Sequence, residues 1–322
     1  MRKIICVLVI VIFLTTSFSS FQAIKISNKE NMNQLEKQID DNWHYLPSYS
    51  NYAPNGLPDF DQKSQNDWKT RLIIWSFCAP TSLANIFWWF DSKNSDPNGI
   101  PGDGIDNYPL VKNLNVADPQ IPGPNSDDHN LNNVNIRATK SVSGKPAGEL
   151  IEQLSWYVNH NNKRTRFGFK GWGGTKISDL KEGIEMWLED AGLEDDFKIE
   201  DKFRPRFSYV CQKVQENCGV IILFHFNIPF FRIFKKMISG HYVSVAGVNQ
   251  NDGYIALSDP YLNVQNPDPT PDEHRDAAVV SHDIYKIEST QPNVLKASWW
   301  CPGYGFTGGY VTYALVISEV NK

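Results

Sequence analysis

Apolar side chains at Leu83, Ile86, Phe87 and Phe90 keep the i, i+3, i+4, i+7 spacing that turns one stripe of a helix toward a core. The spacing predicts a buried helix beginning at or near Cys78, with Pro80 in its first turn, where a missing N–H costs nothing. The same period returns at Leu150, Ile151, Leu154 and Tyr157, then at Leu180, Ile184, Trp187 and Leu188, closed by Gly192. Phe207, Val210, Cys211 and Val214 extend it to a helix over 205–217. From Gly219 the pattern changes. Val220 to Phe226 is a continuous apolar and β-branched run, and Tyr242 to Val248, Tyr254 to Leu257, Val279 to Ile287 and Tyr310 to Ile317 follow as strands. Helices first and strands later predict an α+β fold, a helical N-terminal half packed on a C-terminal antiparallel β-sheet.

The remaining segments carry no sustained period. Arg2 and Lys3 precede an apolar run from Ile4 to Leu14 and a small, polar stretch. That run is shorter than the about 20 residues a membrane span needs and reads as an export signal over 1–23. The chain is therefore expected to be secreted or extracytoplasmic, with membrane contact only if the signal stays uncleaved as an anchor. Residues 24–57 form a polar leader segment with Pro47 and Pro54, expected to lie against the domain. Residues 58–322 form one domain with an acidic loop insertion near 91–135, where Asp, Asn, Gly and Pro crowd together.

Charge narrows the partners. The chain has 31 basic and 36 acidic residues, and removing 1–23 takes away Arg2 and Lys3 and no acid, leaving 29 against 36, a net −7. Nucleic acid is not an expected partner. Asp96, Asn98, Asp103 and Asp106 offer oxygen ligands in the loop, but no Glu closes an EF-hand pattern, so the loop reads as polar and solvated. His274 and His282 lie among Asp272, Glu273, Asp276 and Asp283 without a fixed zinc spacing, and His225, inside an apolar strand, reads as a satisfied core residue. No metal or cofactor is assigned.

Cysteines are few. Beyond Cys6 in the signal, the chain holds Cys78, Cys211, Cys218 and Cys301, too few for a disulfide scaffold. Cys211 and Cys218 can bond only if the intervening helix ends early, because seven helical residues separate Cα atoms by about 10 Å, beyond the roughly 7 Å limit. Cys301 could join either one.

Cys78 differs from the others in its surroundings. A thiol attacks only as thiolate, and a helix N-terminus and a nearby imidazole are the environments that favour that form. His241 opens the strand at Gly240-His241-Tyr242-Val243, and Asp259 ends the next at Ser258-Asp259-Pro260. In an antiparallel hairpin turning at 249–253, the start of one strand lies beside the end of its neighbour. His241 and Asp259 are expected to meet there, with Cys78 completing a Cys-His-Asp set for amide hydrolysis.

Cys78-Ala79-Pro80-Thr81-Ser82 before an aromatic-rich helix, Gly240-His241-Tyr242-Val243-Ser244-Val245-Ala246-Gly247 and the downstream Ser258-Asp259-Pro260 resemble the motifs of the peptidase C39-like family, cysteine peptidases of papain-like fold. The similarity runs over roughly 58–262, and Ala79 stands where the family usually has Gly. The resemblance implies Cys78 as nucleophile, His241 as base then acid and Asp259 as the group that orients it. It also implies an upstream Gln in the oxyanion hole. Papain's position, six residues before the Cys, is Leu72 here, so Gln62 in Asp59-Phe60-Asp61-Gln62 is the candidate and Gln65 the second choice. No cofactor is needed, and the substrate is a peptide or protein. The chain has neither the membrane helices nor the Gly-x-x-x-x-Gly-Lys loop of the family's transporter-fused members. Two other readings use the same features: a catalytically inactive extracellular binding module on this fold, and a thiol acyl transferase of transglutaminase type.

Overall fold

A computed structural model of the chain describes residues 42–49, 53, 55–60, 62, 76–94, 110–111, 150–162, 174–226, 239–261, 283–288, 300–301 and 309–320. The expected export signal, most of the acidic insertion, His274, His282, Gln65 and Leu72 lie outside the described residues. The helices are α1 (Cys78–Asn94), α2 (Leu150–Tyr157), α3 (Ile177–Ala191) and α4 (Phe207–Gln215), with a 3₁₀ turn at His160–Asn162. The strands are β1 (His44–Tyr45), β2 (Phe197–Phe203), β3 (Gly219–Phe226), β4 (Ser239–Asn249), β5 (Tyr254–Ser258), β6 (Asp283–Lys286), β7 (Trp300–Cys301) and β8 (Gly309–Glu319). They form one antiparallel sheet in the order β2-β8-β3-β4-β5-β6, with β1 added to β4 and β7 to β8. The architecture is α+β, as the order of periods predicts.

α1 is buried on every side over its middle, since Leu83, Ala84, Ile86, Phe87, Trp89 and Phe90 expose nothing. It packs on α2, β3 and β4. The expected loop start at Asp91 is a correction: α1 continues through Asn94. The Asp91 carboxylate accepts the Val111 N–H at 2.7 Å, and the Ser92 hydroxyl donates to the Trp88 carbonyl at 2.6 Å. Polar side chains satisfied in this way no longer compete with the helix. α4 stops at Gln215, two residues short of the expected end, and Asn217 takes φ +55. Even so, Cys211, Cys218 and Cys301 are free and buried.

Two further departures concern the sheet. Strand β2 was not expected, because Lys198, Glu200, Asp201 and Lys202 dilute its apolar signal. It lies at the sheet edge, where charged side chains are tolerated, and pairs with β8 from Phe197↔Glu319 to Phe203↔Tyr313. The segment read as a leader supplies β1, and Leu46, Ala53 and Leu57 are buried in the common core.

At Gly183 a Cβ would meet the Tyr157 carbonyl and the Val158 Cα at 2.6 Å, where α3 crosses the end of α2. Gly to Ala inside a helix normally adds about 1 kcal/mol of stability. Gly183→Ala is expected instead to cost about 1–3 kcal/mol through overpacking, read as a lower urea midpoint.

Candidate active site

The start of α1 is fixed by one carbonyl. Phe77 C=O accepts both the Thr81 N–H at 3.0 Å and the Thr81 hydroxyl at 2.7 Å, which places Cys78 in the first turn, at the positive end of the helix dipole. One residue further on, Ser82 joins the helix to the sheet. Its hydroxyl donates to the Tyr242 carbonyl at 3.0 Å, and its own carbonyl accepts the Ser244 hydroxyl at 2.9 Å. This exchange sets the Cys78 turn against the strand that carries His241.

His241 and Asp259 come together through the β4–β5 hairpin. Asn249 Oδ1 accepts the Asp252 N–H at 3.0 Å, and Gly253 takes φ +70 to close the turn. The register at the other end, Ser244↔Ser258, makes His241 and Asp259 diagonal neighbours, and His241 Nε2 donates to Asp259 Oδ1 at 2.7 Å. The Tyr261 N–H donates to the same oxygen at 2.8 Å, so the carboxylate is aimed from two sides.

The Asp259 side chain is fully buried, and that of His241 is 11 % exposed. Burial alone would push the imidazole toward its neutral form. The Asp259 charge and hydrogen bond outweigh it, with a further bond and charge from Cys78, and raise the His241 pKa to about 10. With Nε2 given to Asp259, Nδ1 is left for the thiol. Cys78 itself is 6 % exposed. His241 and Asp259, expected to meet across the hairpin, do so at 2.7 Å. Gln62 is buried beside them, its backbone N–H donating to the Pro260 carbonyl at 2.9 Å, while its side-chain amide makes no hydrogen bond to a described residue. His225, as expected, is satisfied within the sheet, Nδ1 meeting Thr312 Oγ1 at 2.6 Å.

A second histidine beside Cys78 escapes the sequence reading. His160 is fully buried, its ring edge-on to Phe77 at 4.5 Å. Its state follows from its neighbours. The Gly174 N–H donates to Asn161 Oδ1 at 2.9 Å, which fixes the amide, so Asn161 Nδ2 faces His160 Nε2 at 2.9 Å as a donor. Nε2 must therefore accept, and Nδ1 carries the proton, donating to Thr175 Oγ1 at 3.0 Å. Ser76 Oγ lies 3.2 Å from the same Nε2, and the Ser76 carbonyl faces the Cys78 Sγ at 3.9 Å. The Tyr242 hydroxyl donates to the Thr175 carbonyl at 3.3 Å, closing the network onto β4. Asn159, Asn161 and Asn162 all have positive φ, so the run 159–162 announces a turn. No spacing in the chain ties that turn to Cys78.

Two titrations test these states. His241 should keep its proton to about pH 10, and Asp259→Asn should bring its titration down by several units, read by NMR of the ring C–H signals. Because the folded pKa is raised, the pair stabilises the fold fully below pH 6.5 and progressively less as pH rises toward 10; unfolding midpoints that stay level across that window would contradict it. His160 should show the ¹⁵N shifts of a neutral ring protonated at Nδ1, and Asn161→Ala should remove that signature.

No protein-family model and no curated protein matches the chain. Among solved structures, a candidate C39-like peptidase from Bacillus anthracis is similar at 14% sequence identity, over 88% of this chain and 100% of that one, with a TM-score of 0.34.

Proposed function

We propose that this chain is a cysteine peptidase acting on peptides or proteins outside the cytoplasm, with Cys78 as nucleophile. The observation that carries the reading is the buried line from Cys78 through His241 to Asp259, in which His241 holds a proton between the thiol and the carboxylate. The Cys78 sulfur attacks the scissile carbonyl carbon, and the C–N bond breaks as His241 delivers its proton to the leaving amine. Water then attacks the thioester, giving a proton to His241 and freeing the acid and the thiol. Asp259 keeps the ring aimed throughout and stabilises its charge.

The oxyanion is assigned to the Cys78 N–H, at the helix start, and to the Gln62 amide. Gln62 is buried beside Pro260, and its side-chain oxygen meets no hydrogen-bond partner among the described residues, so the amide can turn its N–H toward a transient charge. The extracytoplasmic setting rests on the export signal read at 1–23.

Iodoacetamide alkylation of Cys78 at neutral pH, followed by peptide mass mapping, tests the pair. His241→Ala should slow it about tenfold or more, while Cys211 and Cys301, whose thiols burial holds well up, stay unlabelled in both proteins. Against a casein digest or peptide library, Cys78→Ala should abolish cleavage and Gln62→Ala should lower kcat about 10²- to 10³-fold. Equal alkylation rates in wild type and His241→Ala would overturn the pairing and return the chain to the binding-module reading.

A further inference from the structure

Lys202, Arg204, Arg206, Ser208, Tyr209, Gln212 and Gln250 line an open cavity of about 620 Å³. Phe203 pairs with Tyr313, Tyr313 with Leu223 and Leu223 with Tyr242, so the cations at the end of β2 lie three strand spacings, about 14 Å, from the strand that carries His241. The cavity carries three formal positive charges and no carboxylate, on a chain with net charge −5.

These cations differ from others nearby. Lys93, Lys181, Lys198 and Lys213 each sit on a carboxylate, whereas Lys202, Arg204 and Arg206 meet none among the described residues. Glu200, on the same face of β2 as Lys202, is already held by Lys198 and Lys213. Arg204 is also held in place. Its backbone takes φ +49, its N–H donates to the Thr312 carbonyl at 2.8 Å, and its guanidinium rests 5.1 Å from the Phe203 ring. Lys202 Nζ lies 5.9 Å from the Tyr209 ring. Arg206 precedes α4 and makes no side-chain cap, so the helix dipole adds to the same field. Three like charges gathered in a concavity repel one another unless an anion enters.

We propose that this cavity binds a multivalent oxyanion, a phosphate- or sulfate-bearing chain, at a site separate from Cys78 and independent of the peptidase reading. Two guanidinium forks match tetrahedral oxyanions in bidentate fashion. Lys202 supplies a point charge, and the Ser208 and Tyr209 hydroxyls with the Gln212 and Gln250 amides supply neutral donors. Three cations lining one cavity exceed the charge of a single monovalent ion, which favours linked anionic groups.

Calorimetric titration of the full chain with sodium tripolyphosphate at low salt should show saturable binding that weakens as salt rises. Lys202→Gln/Arg204→Gln/Arg206→Gln should abolish it. Arg204→Gly, which suits the positive φ, should weaken it about tenfold or more while the fold is kept. Alkylation of Cys78 serves as the control and should be unchanged in both variants. Absence of tripolyphosphate binding, or equal binding by the triple variant, would overturn the site. Vesicle flotation separates a membrane source: binding to phosphatidylglycerol vesicles with none to tripolyphosphate would also overturn it, assigning the patch and the exposed Phe203 to a lipid surface.

Discussion

Everything near Cys78 depends on how α1 is fastened to β4. Ser82 and Ser244 each give a hydroxyl to the other element's backbone, so two buried donors and two buried carbonyls are satisfied by the same docking. A slide of the helix along the strand would break both bonds inside the core, and a buried polar group left unpaired costs about 1–3 kcal/mol. The docking thus has one stable position. Since Cys78 lies one helical turn before Ser82 and His241 one residue before Tyr242, that position also fixes the separation of thiol and imidazole.

The second constraint is parity within the hairpin. β4 and β5 run in register from Asn249↔Tyr254 to Gly247↔Ala256, slip by one residue between Gly247 and Val245, and resume at Val245↔Leu257 and Ser244↔Ser258. Side chains alternate faces along a strand, so an uncorrected register would leave Asp259 on the face opposite His241. The bulge restores agreement. It is held from outside the hairpin: the Ala246 carbonyl accepts the Leu46 N–H at 2.9 Å, and the Tyr45 ring would lie only 2.4 Å from a Cβ on Gly247. The short strand β1, which looks peripheral, therefore helps decide which way Asp259 faces.

These dependencies explain what could be read in the sequence. α1, α3, β3, β4 and β5 follow from periodicity because each buries one stripe, one face or both faces. The meeting of His241 with Asp259 follows from hairpin geometry. What escaped reading is carried by polar residues whose role exists only in three dimensions. Asp91 looks like the start of a loop until Val111 supplies its partner, and β2 hides its alternation behind edge-strand charges. Leu46 and Leu57 lie in a segment without period and are core only because β1 pins it. His160 sits in a run of asparagines, where local sequence announces a turn and says nothing of Cys78.

That last case bears on how the site holds its charge. Two imidazoles are placed close to the start of α1, His241 and His160, and their hydrogen bonds set them in opposite states. His241 faces an anionic acceptor on one side and the thiol on the other, and each favours its proton. His160 Nε2 faces a donor fixed by the Gly174 N–H, so a second proton there would place two donors nose to nose in a fully buried pocket. The asparagine turn prevents this, leaving His241 as the protonated imidazole of the two. The neutral ring then supports the Ser76–Cys78 backbone, an assignment of labour set by which neighbours can donate and which can only accept.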